Sequence, residues 1–416
     1  MLPTDVEQKI ELAITELSPG GPERVAQDST VAPPLLALFR SFLVLGLTAF
    51  GGPAMVAYIR EMAVGKKRWL DPEAFDSGVA LCQAIPGATA MQTAAYVGLR
   101  VRGVAGAATS FLGFGLPAFA LMLVLSTLYA RTHEIPVMVS AFSGLRAIVV
   151  ALVANATVSF GRSSLARWPH VLIAASAAAL FVLDVSPFLV IVLAALVTMV
   201  FIPASPATPG VSLVPTRQPI GHTTKPVMAL LAAAVLVFLG LWVTQRRLYD
   251  LAALMFRIDL FAFGGGFSSV PLMCHEAVEV HRWLDRATLL DGIVLGQVTP
   301  GPIVITATFI GYLFAGWAGS VTATVAVFMP SFLMLIATAP YFERMRSSPW
   351  FNKIIAGVLC SFVGLLLVVT ARFAQGVAWD TAHLLLAVGA FVGLRLKVNV
   401  LWTVLIGAGL SIALCR

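Results

Sequence analysis

From residue 35 onward the chain is a succession of long apolar runs separated by short polar connections. At a helical rise of roughly 1.5 Å per residue, these runs are long enough, or nearly long enough, to cross about 30 Å of hydrocarbon. The pattern predicts up to thirteen hydrophobic segments, arranged as two sets of six around a single segment at 226–245. The two sets lie near 36–60, 74–98, 104–129, 138–160, 169–184 and 186–203, and near 250–274, 288–311, 314–338, 354–374, 379–394 and 397–414.

Two polar stretches divide the chain into four predicted parts. Residues 1–34 form a polar N-terminal tail, in which apolar residues at helical spacing predict a short amphipathic surface helix. Residues 35–203 and 249–416 contain the two sets of apolar runs, and residues 204–248 form a proline-rich linker with one transmembrane segment. The tail lacks the basic start and apolar core of a signal peptide, so we expect it to be solvated on one face of the membrane.

The composition indicates an all-α integral membrane protein. Of the 416 residues, 59% are hydrophobic and 11% are charged, and the mean hydropathy is +0.92. Soluble domains are about 45–50% apolar and about 25% charged. A cytosolic enzyme, a secreted disulfide scaffold and a disordered chain are therefore excluded. The four cysteines are scattered without a C-x-x-C spacing, which argues against a disulfide framework or a metal site.

The net charge of +7 is assigned to the loops and not to a nucleic-acid surface. If all thirteen segments cross and the N-terminus is cytoplasmic, fifteen basic residues fall on the cytoplasmic side and nine on the other. That difference favours a cytoplasmic N-terminus under the positive-inside rule. The basic cluster from Arg60 to Arg68 disagrees, because a full first crossing places it on the opposite side.

The chain contains an internal repeat with an offset of 213 to 214 residues. Phe50-Gly51-Gly52-Pro53 returns as Phe263-Gly264-Gly265-Gly266, and Arg68-Trp69-Leu70-Asp71 returns letter for letter as Arg282-Trp283-Leu284-Asp285. Six segments per copy plus one between them give the copies opposite orientations, which is a recurrent arrangement in secondary transporters. The alternative is a duplication with only a structural role. Further matches pair Gln83, Pro86 and Gly87 with Gln297, Pro300 and Gly301.

The Arg-Trp-Leu-Asp motif precedes an apolar run in both copies. A tryptophan beside a cation is typical of an anchor at the membrane interface, and Asp71 or Asp285 can cap the next helix. We favour this structural interpretation over a gating role.

The first two runs of each set are interrupted by glycine and proline, so re-entrant segments are predicted among them. Such breaks free backbone N–H and C=O groups, which persist at membrane depth only when they are buried in protein or face a wet cavity. Paired breaks in two repeats are the best indication of a transport site in a sequence, and close packing of small residues is the alternative. A helix that restarts after a break presents unpaired N–H groups and suits an oxyanion.

Ionisable residues within the runs add to this prediction. Arg146 lies about 12 Å into its run by helical rise, so it is a functional-site hypothesis, and its counterpart is a leucine. Arg257 and Asp259 precede the second glycine block and either serve the site or pair with each other. Asp76 and Asp291 either face water or couple protons. The predicted substrate-binding residues are Phe50, Gly51, Gly52, Pro53, Gln83, Pro86, Gly87, Gln92, Arg146, Gly264, Gly265, Gly266, Gln297, Thr299, Pro300 and Gly301.

These motifs resemble the CHR chromate ion transporter family in its long, two-domain form. The resemblance implies efflux of chromate from the bacterial cytoplasm across the inner membrane, chromate resistance and opposite orientation of the two halves. The sequence departs from the family pattern at Ala88, where a second proline is typical, and at Asp259. The matching residues are Phe50 to Pro53, Arg68 to Leu70, Gln83, Pro86, Gly87, Gln92, Gly98, Gly103, Gly106, Phe263 to Gly266 and Gln297 to Gly311.

The energetics fit export without ATP. Moving one charge through 100 mV is worth about 2.3 kcal/mol, so a dianion that leaves a negative-inside cell at roughly 150 mV gains about 7 kcal/mol. The sequence has no Walker motif, and His275 to Glu279 lacks the second histidine of a zinc helix. We therefore expect no enzyme, no cofactor, no metal and no nucleic-acid partner. The expected partners are the lipid bilayer and chromate or a sulfate-like oxyanion, a homodimer is left open, and the alternative function is a transporter or channel for sulfate or another anion.

Overall fold

The computed structural model of the chain describes residues 33–50, 54–201 and 224–414. These residues form an all-α fold, and no strand occurs among them. The amphipathic helix predicted in the N-terminal tail and the proline-rich stretch at 203–219 lie outside the described residues. In this part of the chain, five helices are long and apolar enough to cross a membrane, at Thr89–Thr132, Pro136–Ser164, Lys225–Thr244, Ile303–Tyr341 and Pro349–Gln375.

The helices of the first repeat are numbered in chain order. α2 continues as a π-helical turn at Glu61–Lys66. The helices are α1 (Leu35–Thr48), α2 (Ala54–Arg60), α3 (Pro72–Ala84), α4 (Thr89–Thr132), α5 (Pro136–Ser164), α6 (Trp168–Val182) and α7 (Pro187–Phe201), and α8 (Thr224–Thr244) follows between the repeats.

The second repeat has the same order of long helices and one additional short helix at Phe342–Arg346. It contains a π-helical turn at Cys274–Val280 and 3₁₀ turns at Gly266–Ser268, Ile303–Ile305 and Ala339–Tyr341. Its helices are α9 (Arg246–Phe261), α10 (Ser269–Met273), α11 (Arg286–Val298), α12 (Thr306–Thr338), α13 (Phe342–Arg346), α14 (Pro349–Gln375), α15 (Thr381–Arg395) and α16 (Val400–Leu414).

Both α4 and α12 fold back on themselves at a glycine. Gly103 has φ +63° and Gly316 has φ +59°, a backbone conformation that favours glycine. Thr308 and Thr324 share a hydrogen bond of 2.7 Å between their hydroxyls, although sixteen residues of straight helix would separate them by about 24 Å. The antiparallel arms are 89–101 and 104–132 in α4, and 306–314 and 317–338 in α12.

The first arm of each folded helix packs antiparallel to the short helix before it. In the first repeat, the Tyr96 hydroxyl donates to the carbonyl of Ala74 at 3.2 Å. A Cβ on Gly78 would lie 2.1 Å from the Tyr96 ring, so only glycine allows this approach. In the second repeat, Gly292 lies against Phe309 in the same way. Each pair is a re-entrant hairpin, and arms of 13 residues reach about 20 Å, near the middle of the hydrocarbon.

The segment before the second hairpin also returns to the face where it starts. The Arg247 guanidinium, at the start of α9, donates to the carbonyl of Phe314 at 2.5 Å. Trp283, which follows the π-helical turn, packs on the Phe314 ring with centroids 4.3 Å apart. Both ends of the segment therefore lie beside the turn at Gly316. We call this side face 2, and the opposite side, which carries the turn at Gly103, face 1.

The two repeats are related by a two-fold axis in the membrane plane. Thr157 in α5 and Thr370 in α14 occupy equivalent positions, and their hydroxyl oxygens lie 3.3 Å apart. Cys360, ten residues before Thr370, donates to the carbonyl of Ser164, seven residues after Thr157. The two long helices therefore run antiparallel about their contact. The predicted inversion of the repeats is confirmed.

Re-entrancy reduces the number of crossings below the sequence-based maximum of thirteen. Among the described residues, the first two runs of each repeat are re-entrant hairpins, and four helical segments per repeat plus α8 alternate between the faces. The run at 250–274 has the length of a full crossing but folds back at its Gly-rich break, and the corresponding break of the first run, Gly51 to Pro53, lies outside the described residues. The interruptions predicted at Pro86-Gly87, Phe263 to Gly266 and Pro300-Gly301 are confirmed as breaks in the helices.

The repeated Arg-Trp-Leu-Asp motif is a connector between helices. Arg68 and Arg282 both adopt φ +50°, which ends the π-helical turn before them. The Asp71 carboxylate accepts from the backbone N–H of Ala74, and Asp285 caps its helix in the same way, both at 2.7 Å. The capping role predicted for both aspartates is confirmed.

The re-entrant topology predicts which loops share a face. A cysteine replacing exposed Lys67 and one replacing exposed Ser163 should react with an impermeant maleimide from the same side. A cysteine replacing Glu134 should react only from the other side. The native Cys82, Cys274 and Cys360 are buried, and Cys415, which lies outside the described residues, is replaced by serine to keep the background low.

A chain with thirteen full crossings would give a different result in this labelling experiment. It would place positions 67 and 163 on opposite sides of the vesicle membrane, and that outcome would contradict the hairpins.

Candidate functional site: a cavity between the broken helices

A cavity of about 510 Å³ lies where the breaks of the two repeats meet. One wall comes from α2, α3 and the start of α4, and the other from the break after α9 and the tip of the second hairpin. The residues that line it are Met55, Val56, Ala57, Arg60, Phe75, Asp76, Val79, Gln83, Ala88, Thr89, Ala90, Phe160, Gly264, Gly265, Gly266, Phe267, Gly296, Gln297, Thr299, Gly301, Pro302 and Ile303.

The structure brings about half of the sequence-predicted site residues together at this cavity. Phe50 lies outside its lining, and Gly51, Gly52 and Pro53 lie outside the described residues. Pro86, Gly87, Gln92 and Pro300 lie behind the lining, in or against the hairpin tips, and Arg146 lies elsewhere. The predicted residues that do line the cavity are Gln83, Gly264, Gly265, Gly266, Gln297, Thr299 and Gly301.

The hairpin tips require glycine at one position each. Gly87 and Gly301 have φ +121° and +131°. A Cβ on Gly87 would lie 2.2 Å from the Ser331 hydroxyl, and one on Gly301 would lie 2.7 Å from Cβ of Ala118. Because Ser331 and Ala118 are equivalent positions, each tip packs against the same place on the opposite repeat. These glycines therefore shape the cavity from behind.

Gln92 is part of this support. Its amide nitrogen donates to the carbonyl of Pro86 at 2.6 Å, and its side chain is fully buried. It closes the first tip and lies outside the cavity lining, whereas Gln83 and Gln297, at equivalent positions, both face the cavity.

Backbone N–H groups in the cavity wall lack backbone acceptors. Among the described residues, the amides of Gly264, Gly265 and Ile303 donate to no carbonyl. Gly264 and Gly265 have φ +83° and +101°, and one 3₁₀ turn starts directly after them at Gly266, whereas Ile303 is itself the first residue of another. Unpaired amides at the start of a helical turn form a site suited to an anion. Thr89 faces Gly265 from the other repeat.

Arg60 and Asp76 form an ion pair in the cavity lining that the sequence did not reveal. Their closest atoms, Nε and Oδ1, lie 3.3 Å apart, and both side chains are about half exposed, at 50% and 54%. An ion pair this exposed contributes little stability, so a competing anion can replace the carboxylate. Arg60 is the one cation in the described lining. In the sequence it stands at the start of a basic cluster that resembles a loop.

The cavity is open toward face 1, and the equivalent positions toward face 2 are closed. The positions equivalent to Arg60, Asp76 and Phe160 are Met273, Leu290 and Phe373. All three of these side chains are buried, with at most 1% exposure. The inverted repeats therefore adopt one open and one closed arrangement in the same molecule.

Arg146 pairs with a carboxylate away from the cavity. Its guanidinium donates to both oxygens of Asp291, at 2.7 and 2.8 Å, and the Tyr129 hydroxyl donates to the same carboxylate at 2.8 Å. Asp291 is 1% exposed, so removal of Arg146 leaves a buried charge, which typically costs about 3–5 kcal/mol. This geometry ties α5 to the second hairpin.

The suggested local pair of Arg257 and Asp259 is wrong. Arg257 instead donates to Glu276 at 2.5 Å, and Asp259 accepts hydrogen bonds from Ser331. Residues two apart on a helix point in different directions, so each of the two side chains pairs with a residue on another segment.

Inverted repeats whose broken helices meet at a polar cavity define a multi-pass membrane transporter. Comparison with known proteins identifies the family of this transporter. The model of the chromate transporter family matches residues 36–199 and again residues 249–412. The chain belongs to the chromate transporter family, and the predicted resemblance is confirmed in its long, two-repeat form.

Relatives resemble the chain over most of its length. An uncharacterised transporter of Methanocaldococcus jannaschii is 42% identical and covers 90% of this chain and 93% of its own. A chromate transport protein of Pseudomonas aeruginosa is 29% identical over 93% of this chain and 94% of its own. One of Cupriavidus metallidurans is also 29% identical, over 95% and 97%. No solved structure matches the chain.

Proposed function

We propose that the protein is a secondary transporter that exports chromate across the bacterial inner membrane and thereby confers chromate resistance. The observation that carries the proposal is the cavity, where unpaired amides, two glutamines and Arg60 surround a space of about 510 Å³. A tetrahedral dianion needs donors from several directions and at least one cation. The chromate transport named for the Pseudomonas and Cupriavidus relatives supports chromate as the anion.

The proposed direction rests on the distribution of basic residues. With the hairpins re-entrant, the cluster from Arg60 to Arg68 lies on face 1, so it no longer contradicts the positive-inside rule. Among the described residues, fourteen basic side chains belong to face 1 and six to face 2. Face 1 holds Arg60, Lys66, Lys67, Arg68, Arg100, Arg102, Arg162, Arg167, Lys225, Arg344, Arg346, Lys353, Arg395 and Lys397, and face 2 holds Arg131, Arg246, Arg247, Arg282, Arg286 and Arg372.

Face 1 is therefore assigned to the cytoplasm, and the cavity is open to it. Chromate would enter from the cytoplasm between Arg60 and the glutamines, and its negative charge would favour exit from a negative-inside cell. The closed arrangement at Met273 and Leu290 would open when the repeats exchange conformations.

The test is flux of radiolabelled chromate into inside-out vesicles that contain the purified protein. We expect uptake well above that of protein-free vesicles when the lumen is made positive, and weak uptake when the potential is reversed. Excess sulfate should reduce uptake only slightly if the cavity selects chromate. Absence of uptake, or sulfate transport in place of chromate, would contradict the proposal.

A further inference from the structure

The second repeat contains a carboxyl group that has no exposure to solvent. Asp259, near the end of α9, is 0% exposed. Its Oδ2 accepts from the backbone N–H of Ser331 at 2.9 Å and from the Ser331 hydroxyl at 2.7 Å. Its Oδ1 has no hydrogen-bond partner among the described residues. A buried carboxylate with one bare oxygen is costly, and binding a proton there removes the charge.

No cation compensates Asp259 among the described residues. The elements packed against α9 are α8, α10 and α12, and none places a charged side chain within ion-pair distance of it. On α9 itself, Arg257 is bound to Glu276, and Arg246 pairs with Asp250. Among the described residues, the hydrogen-bond partner of Asp259 is therefore Ser331, and no cation pairs with it.

Ser331 links this carboxyl to the transport cavity. While its hydroxyl donates to Asp259, its oxygen accepts the backbone N–H of Ala88 at 2.8 Å. Ala88 lines the cavity at the tip of the first hairpin. The chain of bonds thus runs from the cavity wall through one hydroxyl to the carboxylate, and a charged acceptor strengthens both bonds.

The two repeats differ at this point. The positions equivalent to Asp259 and Ser331 are Gly46 and Ala118, so the second hairpin tip has no such tie. Of the two described tips, only the first, Pro86 to Ala88, is held by a group that can change its charge. This asymmetry suits a coupling site, because a change of charge at Asp259 then acts on the first hairpin tip and not on the second.

We propose that Asp259 is a proton-binding site that couples oxyanion transport to protons, an inference that rests on the proposed transport function. As a carboxylate it holds the first hairpin tip in the arrangement that is open to face 1. Protonation at Oδ1 weakens the bond from Ser331, releases Ala88 and favours the alternative arrangement. By linkage, a proton that binds one arrangement better shifts the equilibrium toward it.

The experiment measures chromate flux into proteoliposomes at clamped potential, with and without a pH gradient, for the wild type and Asp259→Asn. We expect a gradient that is acidic on the side from which chromate enters to stimulate wild-type flux, because the proton binds there and moves with the oxyanion. The same gradient should have no effect on the variant, which retains potential-driven flux. Comparison of the two proteins at each pH removes the effect of chromate's own protonation. A pH-sensitive dye in the lumen should report proton movement with chromate only for the wild type.

Ser331→Ala keeps the carboxyl but removes one hydrogen bond to its charged form. The midpoint of its flux–pH profile should lie at higher pH than in the wild type. If Asp259→Asn does not fold, this variant tests whether Asp259 is the proton-binding site. An unchanged midpoint, or an Asp259→Asn protein that still responds to the gradient, would overturn the proton site, whereas a wild type without chromate flux would overturn the transport function itself.

Discussion

Replacing Gly265 with valine should reduce chromate flux to the level of protein-free vesicles. Gly265 has φ +101°, a conformation that costs a β-branched residue about 1–3 kcal/mol. A Cβ at this position would point toward Thr89, 3.5 Å away across the cavity. The valine would therefore occupy the space between the repeats and displace the unpaired amides that we assign to the anion.

The matched control for this variant is Gly240→Val in α8. Gly240 also lies in an apolar segment, but its backbone is helical, and a Cβ added there would have no atom of the described residues within 4 Å. We expect near wild-type flux from it, with equal amounts of both variants in the membrane. Normal flux from Gly265→Val would show that the glycine block only packs helices.

The repeat and its breaks could be predicted from the sequence because the same residues recur at a nearly fixed offset. The offset of 213 to 214 residues pairs Gln83 with Gln297 and Gly87 with Gly301. An odd segment between the copies implies inversion whether the early runs cross or fold back, because two fewer crossings per copy leave the parity unchanged. The structure confirms this inference through Thr157 and Thr370.

The sequence predicted re-entrant segments among the early runs, but it could not predict which of these runs cross and which fold back. Hydrophobicity reports only that a segment avoids water, and a re-entrant hairpin buried in protein satisfies that condition as well as a crossing helix does. The return of the second-repeat segment depends on the contacts of Arg247 and Trp283 with Phe314, residues that lie far apart in sequence.

The same limit explains why the positions and partners of the charged residues could not be predicted. Depth in its apolar run assigns Arg146 to the site, but its partner Asp291 lies 145 residues away and no local pattern connects them. In the sequence, Arg60 has the context of a loop residue. Its place in the cavity follows from the fold-back of the first run, which the sequence context does not reveal. The repeat itself offers a usable signal here, since Arg60 replaces an apolar residue, Met273, at the equivalent position.

Replacing Arg60 with glutamine should raise the chromate concentration needed for half-maximal flux by about 10- to 100-fold. A hydrogen bond to a charged group contributes about 1.5–3 kcal/mol, and about 1.4 kcal/mol corresponds to a factor of ten. Arg60 is half exposed and pairs only with Asp76 in the described lining. Its loss should therefore affect substrate binding and leave thermal stability nearly unchanged.

Asp76→Asn is the control that separates a binding role from a structural one. The carboxylate competes with an entering anion for Arg60, from which it lies 3.3 Å away. Its neutralisation should lower the half-maximal chromate concentration, the opposite of the effect of Arg60→Gln. If the ion pair instead only fixes α2 against α3, both variants would lose stability and flux together. Opposite shifts in the two concentration curves, measured at equal protein density, would identify Arg60 as the cation that receives the oxyanion at face 1.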